Sequence, residues 1–315
     1  MAIPADVWLD VIGREYLDDF IPRGGGGVRF AVADAGGLDH VAACLRDRAR
    51  KNGLKFIQLD LATTRLHMLH NVVFAITQAL PWERLLHTRV KALVTGAGYR
   101  WPDVEGDPLL PALAEINGVA LHLLRRDLTQ ALSREIWQDS QLTLDFRSAM
   151  ISLLDARLTG DEATGTAVME WLRGTLRSIG QLKSAQIGRR IGRQNARGVL
   201  MSLCHWVRQC GCAGIVLTLD IRQLHRERRV ITEGLVYSPA AVMDCYEVLR
   251  QVIDDTEHFP GLFLVALADD AFLSDDPRRS LSQYTALQMR VWDDVRPQEG
   301  DNPLATLVRL EASVS

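Results

Sequence analysis

Residues 28–52 read VRFAVADAGGLDHVAACLRDRARKN, and this stretch decides the fold class. Its opening, Val28–Ala33 (VRFAVA), is a short β-like run. Its second half, His40–Asn52, has a helical pattern closed by Gly53. A strand feeding directly into a helix is half of a βαβ unit, so more strands of the same kind are expected further along. Four follow: Phe56–Leu61 (FIQLDL), Ile215–Asp220 (IVLTLD), Phe263–Ala268 (FLVALA) and the weaker Thr306–Leu310 (TLVRL). The runs at 215 and 263 are almost continuously apolar, as parallel strands covered on both faces must be, and we expect them at the centre of the sheet. A helix over Ala240–Asp255, entered through Ser238-Pro239, separates them. The expected class is α/β, with a mostly parallel five-stranded sheet.

One interval breaks the alternation. From His67 to Cys212 the apolar residues recur at helical spacing and no strand pattern intervenes; Pro102, Pro108 and Pro111 punctuate it early, and Gly160, Gly165, Gly174 and Gly180 later. We expect residues 1–66 and 213–315 to build the two halves of one core, with residues 67–212 as a large helical insertion. Gly24–Gly27, ahead of the first strand, reads as a flexible turn.

Composition narrows the function classes. The 315 residues carry a net charge of -3 and a pI near 6.3, which gives no global drive toward nucleic acid or anionic membrane. Five scattered cysteines, an odd number, suit a reducing compartment better than a disulfide framework. The N-terminus MAIPADVWLDVIGREYLDDF is acidic and lacks the apolar run of a signal peptide, and no stretch is apolar enough to span a bilayer. A cytoplasmic location without membrane contact is expected.

The turn after the first strand is where a phosphate-binding loop would sit. Such a loop needs glycines, so that backbone N–H groups can wrap the phosphates, then a Lys and a Ser or Thr for the terminal phosphates and the metal. Laid on G-x-x-x-x-G-K-[ST], this chain has Ala33 and Leu38 where the two glycines belong, Asp39 for the lysine and His40 for the hydroxyl; Gly36 and Gly37 lie between. A carboxylate in the lysine's place turns attraction for a triphosphate into repulsion. The strand at 215 ends in Asp220, the pattern of an acid that holds Mg²⁺, but Ile221 follows where hydrolytic versions carry a water-polarising Glu. A plain strand–loop–helix connection is the alternative reading of the same residues.

Three segments carry a family resemblance: EYLDDFIPRGGGGVRFAVAD, IGRQNARGVLMSLCHWVRQCGCAGIVLTLDIRQL and YTALQMRVWDDVRPQEGDNPLATLVRL. They resemble the ATP-binding proteins of BREX-type phage-defence systems, which are P-loop NTPases similar to the AAA+ and origin-recognition group. The likeness is good at both ends and poor from about Trp82 to Gly160. It implies a P-loop-NTPase-like fold and a defence context. Against the family pattern Gly36 and Asp220 are kept, while Ala33, Leu38, Asp39, His40 and Ile221 depart. Those departures lead us to expect a pseudo-ATPase without catalytic residues, cofactor or metal. Members often continue into a DNA-binding-like C-terminal region; this sequence stops at Ser315, and we expect that region to be lacking.

Partners are then the expected mode of action, either other defence-system proteins or further copies of the chain. Arg222, Arg226, Arg228 and Arg229 after the third strand are interface candidates, facing carboxylates such as Asp275 and Asp276 on a neighbour; Trp82, Trp101, Trp137 and Trp171 are candidate anchors. Lys183, Arg189, Arg190, Arg193 and Arg197, with no acid among them, form a candidate DNA- or RNA-binding segment. A weak residual ATP-binding role is the remaining alternative. Asp254, Asp255, Glu257, Asp293 and Asp294, the pair His67 and His70, and the cluster Cys204, His205, Cys210 and Cys212 read as caps, surface and core rather than metal ligands.

Overall fold

The computed structural model describes residues 2–103, 106, 109–226, 233–292 and 302–311. Five strands form one sheet: β1 (Gly27–Val32), β2 (Leu54–Asp60), β3 (Gly214–Asp220), β4 (Leu262–Ala268) and β5 (Leu307–Arg309). Their order is β2-β3-β4-β1-β5, and every pairing is parallel. The sheet is thus wholly, not mostly, parallel, and consistent with a P-loop-NTPase-like core. β4 is buried at every residue and β3 at all but its last, because each has a strand on both sides and layers over both faces. Edge strand β2 alternates buried and exposed positions. The opposite edge, β5, is covered by Ile3, which pairs with Leu310, donates its N–H to the Arg309 carbonyl and accepts from the Glu311 N–H.

The chain divides into two compact units, residues 1–75 with 212–315 and residues 76–211, the boundary falling inside α3 (Leu69–Ala79). In the first unit α1 (Ala5–Ile12) and α2 (Ala35–Lys51) bury Trp8, Ile12, Leu38, Val41, Ala42, Leu45 and Ala49 in one apolar cluster with strand residues of β1 and β4. Gly26, within the glycine run, is no loose hinge: a Cβ there would sit 2.1 Å from the Thr256 carbonyl oxygen. The flexible turn expected at Gly24–Gly27 is instead a close-packed one.

The second unit holds α4 (Trp82–Gly96), α5 (Leu110–Asn117), α6 (Leu121–Leu132), α7 (Leu144–Thr159), α8 (Glu162–Arg173) and α9 (Ala196–Gln209), with no strand among its described residues. Gly160 and Gly174 end α7 and α8 in the left-handed conformation, at φ 74° and 75°, where any side chain would be strained. Trp82 and Trp171 are core residues: their indole N–H groups donate to the Thr77 carbonyl at 2.7 Å and the Arg189 carbonyl at 2.9 Å. Both fill the helical core, while Trp137 stands exposed. In the first unit α10 (Pro239–Asp254) precedes β4, and α11 (Thr285–Val291) follows it.

Candidate functional site

Ligands of open parallel sheets bind beyond the carboxyl ends of the strands. Here the ends of β1, β3 and β4 are locked together. The Ala33 N–H donates to the Ala268 carbonyl at 3.1 Å, and the Ile221 N–H to the Leu267 carbonyl at 2.9 Å. An aspartate stands at or just past the end of each of the first four strands: Asp34, Asp60, Asp220 and Asp269.

The phosphate end of this rim is closed. β1 stops at Val32 and α2 starts at Ala35, so only Ala33 and Asp34 connect them. Leu38, placed at the second loop glycine by the sequence pattern, is a buried residue of the helix, and Asp39 and His40 follow on its next turn. The expectation of a loop reaching to His40 is therefore corrected: the helix takes over five residues earlier than its sequence pattern indicates. Neither Gly36 nor Gly37 has a positive φ. Gly37 is needed for another reason, since a Cβ there would come within 3.1 Å of the Ala33 Cβ and of Asp34 Oδ1. Asp34 is the N-cap, its Oδ1 accepting the Gly37 N–H at 2.7 Å. A helix N-terminus attracts an anion through its free N–H groups and its dipole, and here the chain's own carboxylate takes that place. His40 is committed elsewhere: its Nε2 lies 2.9 Å from Asp6 Oδ1 on α1.

The metal end is also engaged. Asp220 Oδ1 accepts the Arg222 N–H at 3.1 Å and the Arg222 Nε at 2.9 Å, while Oδ2 faces Nε at 3.1 Å and Nη2 at 2.5 Å. The side chains are 14% and 22% exposed, which leaves this fork–fork pair mostly shielded from water. The hydrogen bond to Asp220 raises the Arg222 pKa most, against the burial that lowers it, and Asp220, Asp39 and Asp269 add their fields. Arg222 is thus a cation of this rim bound within its own chain. Its guanidinium, an interface candidate by sequence, is engaged by Asp220 within the chain. Ile221 is fully buried, and its apolar side chain has no group to polarise a water. The two remaining strand-end acids also bond their own turns, Asp60 Oδ1 to the Ala62 N–H at 2.7 Å and Asp269 Oδ1 to the Ala271 N–H at 3.1 Å. A triphosphate with Mg²⁺ would need a loop of N–H donors, a lysine and a free carboxylate, and the residues present do not fit that group.

Residues 122–313, more than half of the chain, match the protein family described as BREX system ATP-binding protein BrxC/D. The chain belongs to that family. The match begins in α6, beyond β1 and α2, so the altered phosphate end lies outside the matched residues, while Asp220 and Ile221 lie inside them. No curated protein and no solved structure matches the chain.

Other predicted residues fall in place singly. Arg226 is exposed, and Arg228 and Arg229 lie outside the described residues, as do Asp293, Asp294 and Pro108. Lys183, Arg189, Arg190, Arg193 and Arg197 are all exposed in the second unit; Arg189 Nε bonds Asp145 at 2.6 Å and Arg190 Nη2 the Arg177 carbonyl at 2.5 Å. Asp254 pairs with Arg250 and Arg290. Cys204 and Cys210 are buried, and burial pushes the Cys204 thiol up to about 12, which keeps it protonated and unreactive. No group of three metal-binding side chains occurs, and no helix is long and apolar enough to cross a membrane, among the described residues. Sequence reasoning missed Arg222 as the partner of Asp220; the D-x-R spacing right after an apolar strand was the available signal. It also missed Met289 and Trp292, which stand 73% and 44% exposed on and just past α11, off the face that buries Leu287 and Val291.

Proposed function

We propose that this chain is a non-catalytic, P-loop-NTPase-like subunit that works by protein–protein association within a bacterial anti-phage defence system. Membership in the BREX ATP-binding family supplies the defence context. The carrying observation is the two-residue joint between β1 and α2, with Asp34 on the N–H group that a phosphate would otherwise use. Fold and phosphate site are separable: the sheet is held by apolar burial, which the strand ends do not affect. A core kept intact around a rim whose acids bond their own chain suits a protein used for its shape. Arg226, Met289 and Trp292 are among the exposed groups of the first unit that a partner would engage.

Isothermal titration with ATP and Mg²⁺, together with a phosphate-release assay, tests the reading. No saturable binding in the micromolar range and no release above buffer is the expected result. Turnover that Asp220→Ala abolishes would overturn it and make the chain an ATPase.

A further inference from the structure

From Trp171 to Gly211 the chain has no Asp or Glu but seven Arg and one Lys. Between Gly174 and Asn195 it runs as a strap of turns around one short helical turn, Ile179–Leu182. Buried Leu176, Leu182, Ala185, Ile187 and Ile191 pin the strap from below. That anchoring leaves Arg177, Lys183, Arg190 and Arg193 on the outside. The Arg190 guanidinium bonds the Arg177 carbonyl at 2.5 Å and so gathers two arginines that are thirteen residues apart.

A second observation lies against the strap. Ser184, Ala185 and Gln186 form one wall of a cleft of about 400 Å³, whose other walls come from α6, α7 and Trp137. Trp137 is 41% exposed. Ser148, Ser152 and Asp155 of α7 add hydrogen-bonding groups, and no Lys or Arg lines the cleft. Burial pushes the Asp155 carboxyl up, with Arg125 pulling the other way. Gln186 has φ 54°, the one non-glycine residue with positive φ among the described residues, and such conformations concentrate at binding sites. The volume is that of a small-molecule site. Hydroxyls and a carboxyl beside an exposed indole, without a cation, suit a planar base with polar edges rather than a phosphate. The phosphate-seeking groups begin one residue away, at Lys183.

We propose that the second unit binds single-stranded nucleic acid, its backbone following the strap's cations and one unstacked base entering the cleft against Trp137. Stacking on aromatic side chains and a basic track are the usual parts of single-strand recognition. A duplex keeps its bases stacked and has to flip one out to reach the cleft, so the single strand binds better. The inference goes beyond the association reading and does not depend on the state of the nucleotide rim.

The test is fluorescence anisotropy of the full chain, without ATP, on a labelled 20-nucleotide DNA strand, the same sequence as RNA, and the DNA duplex, at several salt concentrations. Single strands should bind at least tenfold tighter than duplex, the tighter of DNA and RNA marking the ligand, with affinity falling as salt rises. Arg190→Glu with Arg193→Glu should flatten the salt dependence. Trp137→Ala, at an exposed position that tolerates truncation, should lower single-strand affinity about tenfold while leaving the salt slope unchanged. No binding at low salt overturns the proposal. So does equal affinity for strand and duplex, or a Trp137→Ala chain that binds as the parent does.

Discussion

Asp34, Asp60, Asp220 and Asp269 share one habit: each accepts a backbone N–H two or three residues onward. A short carboxylate at a strand end caps the following turn whether or not it also meets a ligand, so the residue type alone does not separate the two roles. His225 makes a sharper case of chemistry set by surroundings. Its Nε2 lies 2.8 Å from the Tyr246 hydroxyl, which gives its own proton to the Arg279 carbonyl at 2.6 Å. The imidazole must therefore carry its proton on Nε2, and Nδ1 is buried without a partner. Burial holds the His225 pKa at about 4, with the Arg279 charge adding to the drop. Above about pH 6.5 folded and unfolded chains both hold a neutral imidazole. As pH falls toward 4 the unfolded chain takes the proton and the folded one does not, so stability declines through that window. Wild type should lose about 2 kcal/mol from this group between pH 7.5 and 5. Urea unfolding of wild type and His225→Gln at both pH values checks this; an equally steep decline in the variant would show that another group is responsible.

At the scale of elements, the joint between β1 and α2 is the decisive part. Removing the N-cap with Asp34→Ala should cost about 1 kcal/mol, since the Gly37 N–H loses its acceptor at the edge of a packed helix. The drop should appear in the urea midpoint with the m-value unchanged. The variant also frees the Gly37 N–H and removes a negative charge from the helix N-terminus, so any phosphate affinity there should rise rather than fall. α10 offers a second check. Arg250 and Tyr284 hold Glu247 at about 2, well below its usual 4.5, with Gln251 as a third hydrogen-bonding partner. Its contribution is present above about pH 4.5 and is lost as pH falls toward 2. Glu247 is a third exposed, so water screens the pair, and Glu247→Gln should remove only a small part of the acid sensitivity measured by circular dichroism.

For the whole molecule, the proposed role is association. Met289 and Trp292 form the exposed apolar pair of the first unit nearest to what an interface requires. Size-exclusion chromatography with light scattering, alone and with the products of neighbouring genes, should give a species heavier than the 35.1 kDa chain. Met289→Glu with Trp292→Ser should shift that species toward the monomer without changing the thermal midpoint, because neither side chain is part of the core. A monomer under every condition would remove the association reading.

The sequence by itself determined the class of fold. All five strands lie where the sequence places them; β3 and β4, buried on both faces, have to be apolar along nearly their whole length, and that pattern is local. The helical stretch between β2 and β3 was legible for the same kind of reason, a periodicity that neighbouring residues carry among themselves. What happens at the strand ends was decided only by the tertiary structure. ADAGGLDH reads equally as a worn phosphate loop or as a capped helix start, and the choice depends on how closely α2 packs against β1, with Leu38 drawn into the core. Asp220 reads as a metal ligand until the backbone after β3 turns and brings Arg222 onto it. The D-x-R spacing allows that pairing, but whether it forms depends on direction and distance in space.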